Sequence, residues 1–130
     1  MFNAVTNDIA VTVEPAYLPH ESDPGESRFV WAYTVQIHNN SRVGVQLLAR
    51  RWSITDGNGV RREVSGPGVV GQQPTIPPGG SFEYTSGCPL TTGSGIMVGS
   101  YRMVTEFGDL IDVAIPAFSL DLPDVARVLN

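Results

Sequence analysis

Residues 29–37, FVWAYTVQI, carry the clearest structural pattern in the sequence, because large apolar residues alternate there with smaller or polar ones. Successive side chains of a β-strand point to opposite faces, so this segment places five large apolar side chains on a single face. The polar residues Asn39, Asn40 and Ser41 then end the pattern. We predict a strand with one buried face, formed by Phe29, Trp31, Tyr33, Val35 and Ile37.

A second alternating segment, residues 45–55 (VQLLARRWSIT), changes phase part-way along its length. The first phase contains Val45, Leu47 and Ala49, and the second contains Leu48, Trp52 and Ile54. A β-bulge near residues 49–51 would produce this change, because one extra residue moves all later side chains to the other face. Residues 56–59 (DGNG) then carry a hairpin-turn signal and lead into a further strand at residues 60–64.

Further short alternating segments occur along most of the chain, at residues 9–13, 81–86, 95–106 and 111–115. Helical spacing is confined to residues 124–130, where it predicts one short turn. The 14 Gly and 10 Pro residues are typical of a chain with many turns. We therefore predict an all-β fold in which residues 1–130 form one domain. This domain is a fibronectin-III- or immunoglobulin-like β-sandwich of seven to eight antiparallel strands.

The composition argues against several classes of partner. A net charge of −5 does not provide the basic surface that nucleic acids and anionic membranes require. The chain has no apolar run of membrane-spanning length, and its first residues do not show the pattern of a secretory signal. We therefore expect a cytoplasmic protein with no nucleic-acid or membrane partner. Cys88 is the single cysteine, which excludes a disulfide within the chain.

A G-x-G-x-x-G pattern occurs at Gly66, Gly68 and Gly71. In dinucleotide-binding folds the last glycine opens a helix that holds the pyrophosphate. Three prolines, at positions 74, 77 and 78, prevent a helix after the pattern in this chain. Two interpretations remain. The segment is either a crossing loop whose glycines set its path, or a loop whose amides form an anion-binding nest.

The nest hypothesis assigns phosphate contacts to five residues: Gly66, Gly68, Gly71, Arg61 and Arg62. The two arginines lie just upstream of the glycines, and the turn at residues 56–59 also brings Arg50 or Arg51 back near them. Guanidinium groups form charge-assisted hydrogen bonds with phosphate oxygens. On this hypothesis the loop binds a nucleotide or pyrophosphate.

The sequence contains no recognisable catalytic or metal-binding pattern. His20 and His38 are the available bases for Cys88, but neither lies in a catalytic sequence context. Residues 20–23 (HESD) combine one imidazole with two carboxylates, without the ligand spacing of a zinc or calcium motif. We predict no catalytic residue, no metal site and no cofactor.

The sequence around the glycine motif resembles the ApaG family. The resemblance is carried by residues 64–74 (VSGPGVVGQQP) and extends upstream through residues 45–56 and downstream through residues 115–120. Between these blocks it includes Ile76, Pro78, Gly79, Phe82, residues 84–87 (YTSG), Met97, Gly99, Tyr101 and Met103. Family members usually have Pro-Gly-Glu where this chain has Pro78-Gly79-Gly80, so one carboxylate is missing here.

The resemblance implies a small bacterial β-sandwich of fibronectin-III type with no established enzyme activity. Related eukaryotic domains look like protein-interaction modules, and bacterial members, also called CorD, are linked to cobalt and magnesium resistance. We therefore expect a non-catalytic protein-interaction domain with a protein partner. The alternative is weak binding of nucleotide or pyrophosphate through residues 66–71. A sheet edge at residues 9–14 would also allow two copies of the chain to pair as a homodimer.

Overall fold

Within residues 1–123, nine β-strands form the fold, together with two single-turn 3₁₀ helices. The computed structural model describes residues 1–123, and the helical turn predicted at residues 124–130 lies outside this range. The strands are β1 (Phe2–Thr6), β2 (Ile9–Tyr17), β3 (Phe29–Asn39), β4 (Val45–Asp56), β5 (Arg61–Pro67), β6 (Thr75–Ile76), β7 (Ser81–Leu90), β8 (Gly95–Thr105) and β9 (Leu110–Leu120). The 3₁₀ helices, Pro19–Glu21 and Pro24–Glu26, lie between β2 and β3. Within residues 1–123 no helix is long and apolar enough to cross a membrane.

The strands form two antiparallel sheets that pack face to face, which confirms the predicted β-sandwich. The first sheet has the strand order β1-β2-β3-β7. The second has the order β5-β4-β8-β9, and β6 pairs with β4 beyond the end of β5. The sequence patterns do not predict β1 and β6, because β1 lacks a run of large alternating side chains and β6 has only two residues.

The core lies between the two sheets and contains the face predicted for β3. Four of its five predicted residues are buried, and the fifth, Phe29, is partly buried at the beginning of the strand. At the centre, the rings of Tyr33, Trp52 and Phe118 pack against one another with centroid separations of 5.4 to 5.9 Å. These distances are typical of favourable aromatic pairs. The cluster joins both sheets, since Tyr33 belongs to the first sheet and the other two rings to the second.

The predicted bulge in β4 is present, but it lies at Leu48 rather than in residues 49–51. Leu47 and Ala49 pair with consecutive residues of β8, so Leu48 is the extra residue. The prediction that Ala49 shares the buried phase of Leu47 is therefore wrong. Because the bulge precedes Ala49, the side chain of Ala49 lies on the solvent side of the sheet.

The two lateral sides of the sandwich differ. On one side β1 and β2 pack against β9, and the Ala114 amide donates a hydrogen bond to the hydroxyl of Thr6. On the other side β5 and β7 face each other across an open cleft. The pairing edge predicted at residues 9–14 is wrong, because these residues belong to β2, which lies between β1 and β3. Pairing of two copies through another edge stays a prediction.

Candidate functional site

The glycine motif begins in β5 and ends in a tight turn. The backbones of Val69 and Gln72 exchange two hydrogen bonds, both 2.8 Å long, and thereby close a four-residue hairpin. The two central residues, Val70 and Gly71, have positive φ angles of 43° and 79°, as in the turns that suit the twist of a β-hairpin. The side chain of Val69, only 1% exposed, anchors the turn in the core.

The loop fills the irregular part of the β4 edge. The amide of Gly68 and the side-chain amide of Gln73 both donate to the carbonyl oxygen of Leu48, at 2.8 and 2.9 Å. The amide of Leu47 donates in turn to the carbonyl of Pro74 at 3.0 Å. A bulged strand leaves backbone groups without their ladder partners. The glycine loop supplies these partners, so the bulge and the loop stabilise each other.

Close packing requires a glycine at position 68 and leaves little room for a side chain at position 66. A Cβ atom at Gly68 would lie 2.2 Å from the carbonyl oxygen of Gln72, and Gly68 also has a φ of 60°. A Cβ atom at Gly66 would lie 3.2 Å from Nη2 of Arg50, whose guanidinium group packs against this position. The spacing of the motif therefore follows from the path of the chain, and phosphate binding by the loop stays a prediction.

The structure brings Arg50 to the loop, and not Arg61 or Arg62. Nη1 of Arg50 donates to the carbonyl oxygens of Pro67 and Gly68, each at 2.9 Å. Arg50 lies opposite Gly66 in the β4–β5 register. Consecutive residues of a strand point to opposite faces, so Arg61 and Arg62 could not both have faced the glycines. The sequence alone predicts only that Arg50 or Arg51 lies near the loop, because it does not give the register between β4 and β5.

The predicted arginines are bonded elsewhere. Arg61 donates to the hydroxyl of Ser53 and to the carboxylate of Glu63, each at 2.7 Å. Arg62 donates to the carbonyl of Pro89 at 3.1 Å, across the open side of the sandwich. The predicted set of five residues is thus divided among three places: the loop, the solvent side of β5 and the open cleft.

Cys88 and the histidines are not brought together as a catalytic group. Cys88 is 2% exposed, and burial raises the pKa of its thiol, an effect that the nearby Arg62 partly opposes. His20 lies in the first 3₁₀ helix, and His38 is hydrogen-bonded to the hydroxyl of Ser81. Across residues 1–123, no three side chains among His, Cys, Asp and Glu come close enough to hold a metal ion.

The solvent side of the second sheet, which we call the outer face, combines apolar and charged side chains. Ile96 and Val98 on β8 are 53% and 42% exposed. Two ion pairs flank them, Arg61–Glu63 at 2.7 Å and Arg102–Asp112 at 3.1 Å. The residues of the outer face are Arg51, Ser53, Thr55, Arg61, Glu63, Ile96, Val98, Arg102 and Asp112.

A cleft of about 510 Å³ opens between β5 and β7, below the connection from β2 to β3. Its charged lining is mixed, with Glu26 and Asp56 opposite in sign to Arg28 and Arg62. The carboxylate of Asp56 already accepts the amides of residues 58 and 60, at 2.9 and 3.0 Å. The cleft therefore has no clear preference for a ligand of either charge.

Comparison with known proteins identifies the family of the chain. The sequence pattern of the ApaG domain matches residues 19–105. The chain belongs to the ApaG family. It is 62% identical over 130 residues to Protein ApaG of Allorhizobium ampelinum, with the full length of both chains covered. It is 58% identical, again over both full lengths, to Protein ApaG of Beijerinckia indica.

A solved structure supports the same assignment. A crystal structure of a protein named ApaA, from Bordetella pertussis, has a TM-score of 0.87 and 49% sequence identity to this chain. The match covers 89% of this chain and 94% of the Bordetella pertussis chain. The resemblance read from residues 64–74 is thus confirmed. The part matched by the ApaG domain pattern includes the glycine loop, Arg50 and most of the outer face.

Proposed function

We propose that this ApaG-family chain is a non-catalytic protein-interaction domain and that its outer face binds a partner protein. The observation that carries the proposal is the exposure of Ile96 and Val98 on an inner strand of the second sheet. The solvent-facing positions of such a strand are usually polar. Exposed apolar side chains with a polar rim are typical of protein interaction sites, and arginine is enriched at such sites.

The charge of the outer face indicates the chemistry of the partner. The chain has a net charge of −5, whereas the outer face has three arginines and two carboxylates. The two ion pairs use both carboxylates, and Arg51 has no ion-pair partner within residues 1–123. The face therefore favours a partner surface with apolar side chains and at least one carboxylate that reaches Arg51.

The family resemblance implies a link to cobalt and magnesium resistance, and we attribute this link to the activity of the partner protein. In this proposal the chain binds a cytoplasmic protein that governs divalent cations, and itself neither binds the cation nor catalyses a reaction. The mixed donors of residues 20–23 lie in and beside an exposed 3₁₀ helix, where a weakly bound cation would remain largely hydrated.

Site-specific photo-crosslinking tests the proposal. We would place p-benzoylphenylalanine at position 98 and, as a matched control, at Gln36, which is exposed on the other sheet. In the native cell, position 98 should give one defined protein adduct that position 36 does not give. Combining position 98 with Arg51→Glu should reduce the yield of this adduct at least fivefold. Equal adducts from both positions, or none from position 98, would contradict the proposal.

The second candidate function is weak binding of nucleotide or pyrophosphate by residues 66–71. It is favoured by the amides of Val70 and Gly71, which donate to no acceptor within residues 1–123, and by the guanidinium of Arg50 beside them. An amide NMR titration with ATP and then pyrophosphate tests it. Shifts centred on residues 70 and 71 would support this function, and an unchanged loop at millimolar ligand would exclude it.

A further inference from the structure

A small cavity of about 200 Å³ lies below the Val69–Gln72 turn, on the open side of the sandwich. It separates the edge of the first sheet from β4 of the second. It is distinct from the outer face, which lies on the other side of the second sheet. The residues that line it are Tyr33, Arg50, Trp52, residues 69–71, Tyr84 and Ser86.

Arg50 provides the cavity with a cation whose donors are only partly used. Nη1 is bonded to the carbonyls of Pro67 and Gly68, which fixes the position of the guanidinium group. Within residues 1–123, Nε and Nη2 donate to no acceptor, and no carboxylate forms an ion pair with Arg50. Within residues 1–123, every side-chain nitrogen or oxygen that is fully buried has a hydrogen-bond partner. Because Nε and Nη2 of Arg50 have no such partner, both atoms are accessible to solvent.

Two hydroxyl groups lie in the same cavity. Tyr33 and Ser86 are paired across β3 and β7, and both side chains point to the interior. Burial raises the pKa of Tyr33, so its hydroxyl remains protonated and can donate. The hydroxyl of Tyr84 is already bonded to Tyr101. The remaining walls, Trp52 and Val69, are apolar.

We propose that this cavity binds the carboxylate of a small monocarboxylic acid. Arg50 is the one ionised side chain in the lining, and its Nε and Nη2 groups form a flat pair of donors that matches two carboxylate oxygens. The hydroxyls of Tyr33 and Ser86, which bond to each other, retain one further donor for the carboxylate, and Trp52 and Val69 contact the apolar part of the acid. A single cation neutralises a single negative charge, so a doubly charged phosphate would retain an uncompensated charge in a partly desolvated site.

A matched pair of ligands provides the test, since propionate and propionamide have the same shape and differ in charge. Propionate should shift the Nε–H resonance of Arg50 and the indole resonance of Trp52, with a dissociation constant of about 1–10 mM. Propionamide at the same concentration should leave both resonances unchanged. The Ser86→Ala variant leaves the hydrogen bonds between Arg50 and the loop intact. It should weaken propionate binding about fivefold.

The controls separate carboxylate binding in this cavity from phosphate binding by the glycine loop and from the bulk effects of added salt. Arg61→Gln, on the outer face, should leave propionate binding unchanged. Shifts of equal size with propionate and propionamide would overturn the proposal, as would the absence of any shift at 50 mM propionate. Tighter binding of pyrophosphate than of propionate at equal ionic strength would also overturn it, and would support the phosphate hypothesis instead.

Discussion

The hydroxyl groups of Tyr84 and Tyr101 share a hydrogen bond in the centre of the core, with one tyrosine contributed by each sheet. Both side chains are buried, so each hydroxyl replaces the water that the other has lost. The alternation of apolar residues does not predict this polar contact, because the contact depends on how the two sheets are positioned against each other.

Removing both hydroxyls should cost less than the sum of the two single removals. Tyr101→Phe leaves the hydroxyl of Tyr84 buried without a partner, and we expect it to lower the free energy of unfolding by about 1–3 kcal/mol. The double variant, with Phe at both positions, should lose less than the sum of the two single variants. Urea denaturation of the four proteins measures this coupling. Tyr17→Phe, at a partly buried site, is the control and should have little effect. Strict additivity would show that the hydroxyl pair does not stabilise the fold.

Stability should decrease at alkaline pH. Burial is the main cause that raises the pKa values of Tyr33, Tyr84 and Tyr101 above the ordinary tyrosine value. Above a pH of about 10 the unfolded chain loses these protons and the folded chain keeps them, so the free energy of unfolding falls as the pH rises. The contribution is fully present below this pH. The part of the tyrosinate absorbance at 295 nm that comes from these three residues should therefore change together with the circular dichroism. Full ionisation of these tyrosines before unfolding would contradict the expectation.

Alanine should be tolerated differently at two glycines of the motif. At Gly71 an added Cβ atom meets no atom within 4 Å, so Gly71→Ala should cost only the left-handed backbone penalty, about 1–2 kcal/mol. At Gly68 the same penalty applies, and the added Cβ atom would also collide with the carbonyl oxygen of Gln72. Gly68→Ala should therefore cost at least about 3 kcal/mol. Thermal unfolding compares the two variants, and equal losses would show that the loop adapts to the new side chain.

Asparagine at position 70 should stabilise the protein. Val70 has a φ of 43°, which is unfavourable for a β-branched residue. Its side chain is 52% exposed, so little packing is lost when it is replaced. Asparagine adopts this conformation readily and is typical of such turns. We expect Val70→Asn to raise the free energy of unfolding by about 0.5–1 kcal/mol. A decrease on urea denaturation would show that the valine side chain makes contacts that outweigh the strain.

Asn39 should be among the most sensitive polar positions. Its side-chain amide donates to the carbonyls of Val43 and Ile76, at 2.8 and 3.0 Å, and its side-chain oxygen accepts the amide of Ser41. Asn39→Leu would remove the side-chain donor to the buried carbonyl of Ile76, and we expect a loss of about 1–3 kcal/mol. The neighbouring variant Asn40→Ala, at an exposed position, is the control. Denaturation curves that coincide for the two variants would contradict this expectation.

The alternation of apolar residues was enough to predict most of the sandwich, because a strand with one buried face must alternate. The same reasoning could not assign Asn39, which looks like a turn residue but is the one buried amide side chain within residues 1–123. It also located the bulge too late, because Leu48 is apolar and fits either phase of β4. Local pattern determines the strand, whereas the pairing partner determines the position of the bulge.

The candidate sites depend still more on pairing. The three glycines could be found as a motif, but their separate packing roles follow from contacts with Gln72 and Arg50, which lie in other parts of the backbone path. The period of two in β5 was already sufficient to separate Arg61 from Arg62. The selection of Arg50 rather than Arg51 required the position of the bulge, because that position decides which arginine points inward.

The bulge at Leu48 also affects how the chain tolerates changes in length. Before it, the odd-numbered residues of β4 are buried, and after it, the even-numbered residues Trp52 and Ile54 are buried. Deleting this one residue would leave the later residues of β4 on the same faces and opposite the same residues of β8, but it would remove the carbonyl to which Gly68 and Gln73 donate. Insertions in the exposed turn at residues 57–59 would leave that order intact. Loss of the residue that has no partner on β8 would therefore affect the glycine loop, whereas loss of a paired residue beyond it, such as Ser53, would change the face of its neighbours in β4.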